Sequence, residues 1–131
     1  MSNNIAYYQN GERIIQAGEF ERRMYVILEG TVSITLRDKD NAINVANLRA
    51  GDFFGEISLF NETPRSADAV AMGQVKLFYI DSLSQLKGFL MKNPAFGAKM
   101  VHILARRLAR TDEILIGKIS EINRLKMTQD V

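Results

Sequence analysis

The sequence contains no cysteine and no tryptophan, one histidine and two prolines. Without cysteine there is no disulfide framework and no thiolate metal site, which fits a reducing compartment. The single histidine, His102, leaves too few ligands for the two- or three-histidine centres of metal-dependent barrel enzymes. An excess of one charge is also missing. Lys+Arg number 17 against Asp+Glu 15, a net charge of +2, too mild to argue for nucleic acid. No apolar run approaches the roughly 20 residues of a membrane-spanning helix. The opening residues, Met1 to Tyr8, lack the basic-then-apolar order of a signal peptide. A cytoplasmic protein without a membrane segment is therefore expected. What the chain does have is 47% hydrophobic residues over 131 positions, enough to bury the core of one domain.

The chain changes character near Asp81. Before it, apolar runs are short and punctuated by turn residues: Asn10-Gly11, Gly18-Glu19, Glu29-Gly30, Asp38 to Asn41, and Met72-Gly73. Met24 to Leu28 meets Thr31 to Leu36 across Glu29-Gly30, which reads as a two-residue hairpin. Val32, Ile34 and Leu36 alternate with Thr31, Ser33 and Thr35, the period of a half-buried strand. Many short strands at this spacing predict a barrel or sandwich. After Asp81 the period becomes helical. Asp81 or Ser82 can cap a short helix to about Lys92, and Pro94 can open a second that runs to about Lys126. Along the latter, Val101, Leu104, Leu108, Thr111, Leu115, Ile122 and Leu125 form a heptad seam broken only at Lys118. The seam predicts a homodimer, with the first turns packed on the chain's own barrel and the later ones on a second copy.

The stretch Gly51 to Ala67, Gly-Asp-Phe-Phe-Gly-Glu-Ile-Ser-Leu-Phe-Asn-Glu-Thr-Pro-Arg-Ser-Ala, places an acid and a base in apolar company. It reads as a tight turn, one turn of helix, and a loop through Pro64. Gly55 has no Cβ, so backbone there can approach a ligand closely. The first N–H groups of a helix have no intrahelical partner and can donate to an anion. Arg65 carries a planar fork suited to two oxygens of one phosphate, while the Glu56 carboxylate can accept from a hydroxyl. Taken alone, a Glu and an Arg nine positions apart make an ordinary surface ion pair.

The wider pattern is more specific. Phe54 to Phe60 (Phe-Gly-Glu-Ile-Ser-Leu-Phe) followed by Pro64 to Ala67 (Pro-Arg-Ser-Ala) resembles the phosphate-binding cassette of the cyclic nucleotide-binding domain family. The resemblance extends through Tyr8, Gly11-Glu12, Ile15 and Gly18-Glu19, then Met24 to Val32 and Val45 to Glu56, in the family's order. It implies one domain over residues 1–131: an eight-stranded antiparallel jelly-roll β-barrel at about 5–81, then a helical segment at about 82–127 made of a short helix and a long C-terminal dimerisation helix. It also implies a cyclic nucleotide sensor that repositions its C-terminal helices on binding. The ligand would be cAMP, towards which Ser66 leans slightly, with cGMP as the alternative. Glu56 would take the ribose 2′-hydroxyl and Arg65 the cyclic phosphate. Backbone at Gly55, Glu56, Ser66 and Ala67 would complete the site, with Phe54, Ile57 and Ser58 as the rest of the cassette.

The run Ala105 to Asp112 resembles the dimer helix of the family's bacterial catabolite-activator branch. That likeness assigns Thr111 to the base of the ligand, Asp112 to a contact made from the partner copy, and Arg107 to the neighbourhood of the pocket. Asp112 stands where that branch has serine. The branch also carries a helix-turn-helix after this helix, for which the residues up to Val131 leave no room, so direct contact with nucleic acid is not expected. Nor is an enzyme: there is no metal-ligand set and no Gly-x-Ser-x-Gly elbow. The alternative reading is a degenerate domain that keeps the fold and serves only as a dimerisation or protein-interaction module.

Overall fold

The computed structural model describes residues 3–38 and 40–129, and of residues 38, 114, 118 and 126–129 the backbone alone. Lys39, in the turn expected after the second apolar run, and the side chains of Lys118 and Lys126 fall outside that description. The elements are β1 (Ile5–Tyr8), β2 (Arg13–Ile15), β3 (Met24–Asp38), β4 (Asn41–Arg49), β5 (Phe53–Phe54), α1 (Glu56–Phe60), β6 (Ala67–Ile80), α2 (Leu83–Lys92) and α3 (Pro94–Gln129). Two compact units divide the chain, Met1–Phe89 and Leu90–Val131, with the boundary inside α2.

The first unit is an antiparallel sheet of order β1-β6-β3-β4, with β2 added to β6 and β5 to β3. Where an eight-stranded closed barrel is expected, the described residues form six strands, and the sheet path does not close. The difference comes from two glycines. Glu29-Gly30 is not a hairpin, because β3 continues through it for 15 residues. Met72-Gly73 does not separate two strands either, because β6 continues for 14. Both glycines have positive φ, 100° at Gly30 and 79° at Gly73. They lie where the β3–β6 register shifts, from Glu29 opposite Lys76 to Thr31 opposite Met72. A glycine in that conformation serves a bulge as readily as a chain reversal. Here each strand bends and stays paired.

On one side of the bend β6 pairs with β1, with Ile5 opposite Phe78, and β3 with β5, with Tyr25 opposite Phe54. On the other side β6 pairs with β2, and β3 pairs with β4 from Thr31–Arg49 to Asp38–Asn41. Met24, Tyr25, Val26 and Ile27 are all buried, so this end of β3 is covered on both faces. The alternation expected from Val32 onward holds only in part. Val32 is fully buried, Ile34 is half-buried and Leu36 is exposed, so the core fades towards the β3–β4 end. Ile14, Ile15, Val75 and Leu77 complete one core cluster with Tyr25 and Phe54.

The helices begin as their sequence dictates. Ser82 Oγ accepts from the Gln85 amide at 3.1 Å, and Gln85 Oε1 accepts from the Asp81 amide at 2.9 Å, a reciprocal cap at the start of α2. Phe89 stacks on Phe78 with centroids 5.1 Å apart. Asn93 offers its carbonyl to the Phe96 and Gly97 amides, and Pro94 takes the first position of α3, where no N–H is needed. Of the seam, Val101, Leu108, Leu115, Ile122 and Leu125 are exposed in the single chain. No described helix is long and apolar enough to cross a membrane.

Candidate functional site

The expected tight turn and single helical turn are present. Gly55 precedes α1 with φ 80° and ψ 7°, the left-handed conformation. A Cβ built there would lie 2.9 Å from the Arg23 carbonyl oxygen and 2.9 Å from Arg65 Nη1. Only glycine therefore lets the turn close on the arginine. Glu56 begins α1 as its one acidic first-turn residue, a favourable place for a carboxylate.

Arg65 is buried, with 8% of its surface exposed. Its Nη1 donates to the Gly55 carbonyl at 3.0 Å and its Nη2 to the Arg23 carbonyl at 2.6 Å. Among the described residues, its Nε is the buried side-chain nitrogen or oxygen that has no hydrogen-bond partner. Burial pulls the guanidinium below its ordinary pKa, opposed by the charges of Glu21 and Glu56. It stays cationic at neutral pH, because arginine starts so high. The main chain fixes this residue as well. The Arg65 amide donates to the Glu19 carbonyl and the Gly18 amide to the Arg65 carbonyl, each at 2.8 Å.

This guanidinium is paired with a carboxylate that sequence reasoning missed. Glu21 Oε1 lies 3.5 Å from Arg65 Nη2 and accepts a 2.9 Å hydrogen bond from the Tyr25 hydroxyl. Burial, and then Glu21, push the Tyr25 hydroxyl well above its ordinary pKa, so it remains a donor. No spacing rule points to Glu21. Its approach to Arg65 depends on the two main-chain bonds that hold the Gly18–Glu19 turn against residue 65.

The other cassette residues sort by burial. Phe54 is in the core, stacked on Tyr25 at 5.1 Å. The hydroxyl of buried Ser58 sits 3.0 Å from the Gly55 carbonyl and 3.4 Å from that of Arg23, the same two acceptors that Arg65 uses. Ile57 and Ser66 are exposed, and Ala67 is half-buried at the start of β6. Arg107, Thr111 and Asp112 lie on α3 in the second unit. Arg107 and Thr111 are one helical turn apart, and the Thr111 hydroxyl donates to the Arg107 carbonyl at 2.9 Å. A cleft of about 300 Å³ between residues 20–22 and 61–63 has Glu21 in its wall. Among the described residues, no cluster of His, Cys, Asp or Glu could hold a metal ion.

The profile of the family described as "Cyclic nucleotide-binding domain" matches residues 5–93. The chain belongs to that family. The match spans the whole sheet, α1, Arg65 and α2. Among curated relatives, a CRP-like cAMP-activated global transcriptional regulator of Mycobacterium tuberculosis is 30% identical over 113 residues, 86% of this chain and 50% of the relative. A cAMP-dependent protein kinase type II regulatory subunit of Drosophila melanogaster is 43% identical over 75 residues, 56% of this chain and 20% of the relative. The chain thus spans between a fifth and a half of these proteins. Among solved structures, the catabolite activator protein of Thermus thermophilus superposes with a TM-score of 0.73 at 28% identity, over 85% of this chain and 52% of that one. These relatives are regulators rather than enzymes by name.

Proposed function

We propose that this chain is a cyclic nucleotide sensor whose ligand is cAMP, with cGMP as the competing candidate. The observation that carries the reading is Arg65: a buried cation beside the left-handed Gly55 turn and the start of α1, with its Nε unpartnered among the described residues. A buried charged donor without an acceptor is costly, and a bound phosphate oxygen would remove that cost. Glu56 would accept the ribose 2′-hydroxyl, and the amides at Gly55, Glu56, Ser66 and Ala67 would turn towards the phosphate. Phe54, Ile57 and Ser58 would support this cassette. The cAMP-named relatives on both sides of the family support the choice of base. Thr111, Asp112 and Arg107 would meet the base end in a homodimer formed through the exposed seam of α3. Each strand that bends at its glycine counts twice in the family's eight-stranded jelly roll, so the bent six-stranded sheet is compatible with that barrel.

Ligand binding would shift the helices after residue 81 and signal to a partner still to be identified, without direct contact to nucleic acid and without catalysis, in the cytoplasm. Residues 1–131 would act as one binding domain. A second reading, a family member that dimerises but has lost its ligand, draws on one contact: Glu21 already supplies Arg65 with a counter-charge at 3.5 Å. A thermal-shift panel of cAMP, cGMP, cCMP, cUMP and linear AMP separates the two. Ligand at about a hundred times its Kd adds ~2.7 kcal/mol of stability. A rise in Tm with cAMP and none with linear AMP is the expected result. No rise with any cyclic nucleotide would favour the ligand-free module.

A further inference from the structure

We infer that Arg23 is a positioning residue that couples Arg65 to the first turn of α2. The regulatory meaning of this link rests on the reading of Arg65 as the phosphate ligand, but the link itself is a property of the protein. Arg23 immediately precedes β3, and its two ends serve different neighbours. Its carbonyl accepts the 2.6 Å bond from Arg65 Nη2. Its side chain points to the end of β6, where Nε donates to Asp81 Oδ1 at 2.6 Å and the guanidinium lies 4.1 Å from the centroid of the Tyr79 ring. The strand register explains the meeting. Met24 is opposite Ile80 in the antiparallel ladder, so residue 23 is carried opposite residue 81.

Asp81 is in turn tied to the helix that follows. Its amide donates to Gln85 Oε1 at 2.9 Å, and the Gln85 amide donates to Ser82 Oγ at 3.1 Å. A continuous run of contacts therefore leads from the Arg65 guanidinium through residues 23, 81 and 85 to the cap of α2. Burial works against the charge of Arg23, yet its pKa is raised, because the Asp81 carboxylate and the hydrogen bonds to Asp81 and Tyr25 outweigh that burial. The Arg23 and Asp81 side chains are about one-third and two-fifths exposed. Such a half-exposed pair adds little to stability. It can therefore be cut without losing the fold. An anion that draws on the Arg65 guanidinium alters its hold on the Arg23 carbonyl. Any shift of residue 23 then changes the partner that Asp81 offers to α2. A link of this kind acts only through a difference between two states.

The test is a double-mutant cycle on the full chain, read by amide hydrogen exchange at residues 83–86 without ligand. The four proteins are wild type, Arg65→Lys, Asp81→Asn and the double variant. Arg65→Lys should change exchange at these amides by about fivefold or more in the wild-type background and by much less when Asp81 is Asn. Equal changes in both backgrounds overturn the link. Should Arg65→Lys fail to fold, Arg65→Gln replaces it under the same criterion. A second arm adds cAMP to wild type and Asp81→Asn. The link requires similar affinities by calorimetry, with the ligand-induced exchange change at 83–86 lost in the variant. Equal exchange changes in both proteins overturn it. If wild type binds no cAMP while the ligand-free cycle is coupled, the link stands and the cAMP reading falls.

Discussion

Asp68 Oδ1 accepts a 2.7 Å hydrogen bond from the Ala17 amide, joining the turn after β2 to the start of β6 just beyond the cassette. Arg37 pairs with the other oxygen of the same buried carboxylate. Burial works against the charge of Asp68, but the Ala17 amide and Arg37 outweigh it and hold the carboxyl below its ordinary pKa. Unfolded, this group titrates near about 3.9. As pH falls the unfolded chain takes up the proton first, so the stabilisation is present above that value and lost as pH drops through the lower folded pKa. Urea midpoints should fall between about pH 6 and about pH 3. Asp68→Asn should cost ~1–3 kcal/mol at the higher pH and flatten that fall. An unchanged pH slope in the variant would remove Asp68 as its source.

At the cassette, Arg65→Ala should weaken cAMP binding by about 1.5–3 kcal/mol, roughly ten- to a hundredfold in Kd. Glu56→Gln should weaken cAMP more than 2′-deoxy-cAMP. Isothermal titration checks both. An Arg65→Ala titration like wild type would exclude the guanidinium from the site, and equal losses for the two nucleotides would dismiss the hydroxyl contact.

Gly30→Ala tests the bend. A Cβ at Gly30 would lie 2.3 Å from the Gln74 carbonyl oxygen, on backbone already at φ 100°. Both strands would have to move, so a loss of ~2 kcal/mol or more is expected in chemical denaturation. Gly73→Ala, with nothing within 4 Å of its Cβ, carries only the conformational strain and should cost less. Equal losses would mean that the close approach does not matter.

Leu115→Glu places a charge in the middle of the exposed seam. On the proposed α3 dimer, sedimentation should show dimer for the wild type and monomer for the variant, with the Tm of the sheet unit little changed. A variant that still sediments as a dimer would place the interface elsewhere.

The tight turn and one-turn helix before Arg65 were legible because their signal is local. Gly55, Glu56 and the one-turn helix follow one another in sequence, and the left-handed turn at residue 55 requires its glycine. The helix starts at residues 83 and 94 were legible for the same reason, through Ser82 and Pro94. The strand count was not. Gly30 and Gly73 carry the local signal of a reversal, and only the pairing of two distant segments turns them into bends. Nor could Glu21 and Arg23 be assigned from spacing, because each meets Arg65 across some forty residues of chain.

The ladder between β3 and β6 has a consequence for how the molecule comes into being. Its partners are remote in sequence, as far apart as Met24 and Ile80. Chain entropy must be spent on closing that loop before either strand gains its ladder, which slows folding relative to hairpin-built sheets. During synthesis, the apolar segment from Met24 to Ile27 waits without its cover until residues 77–80 have left the ribosome. A nascent chain halted before then would present that segment to chaperones.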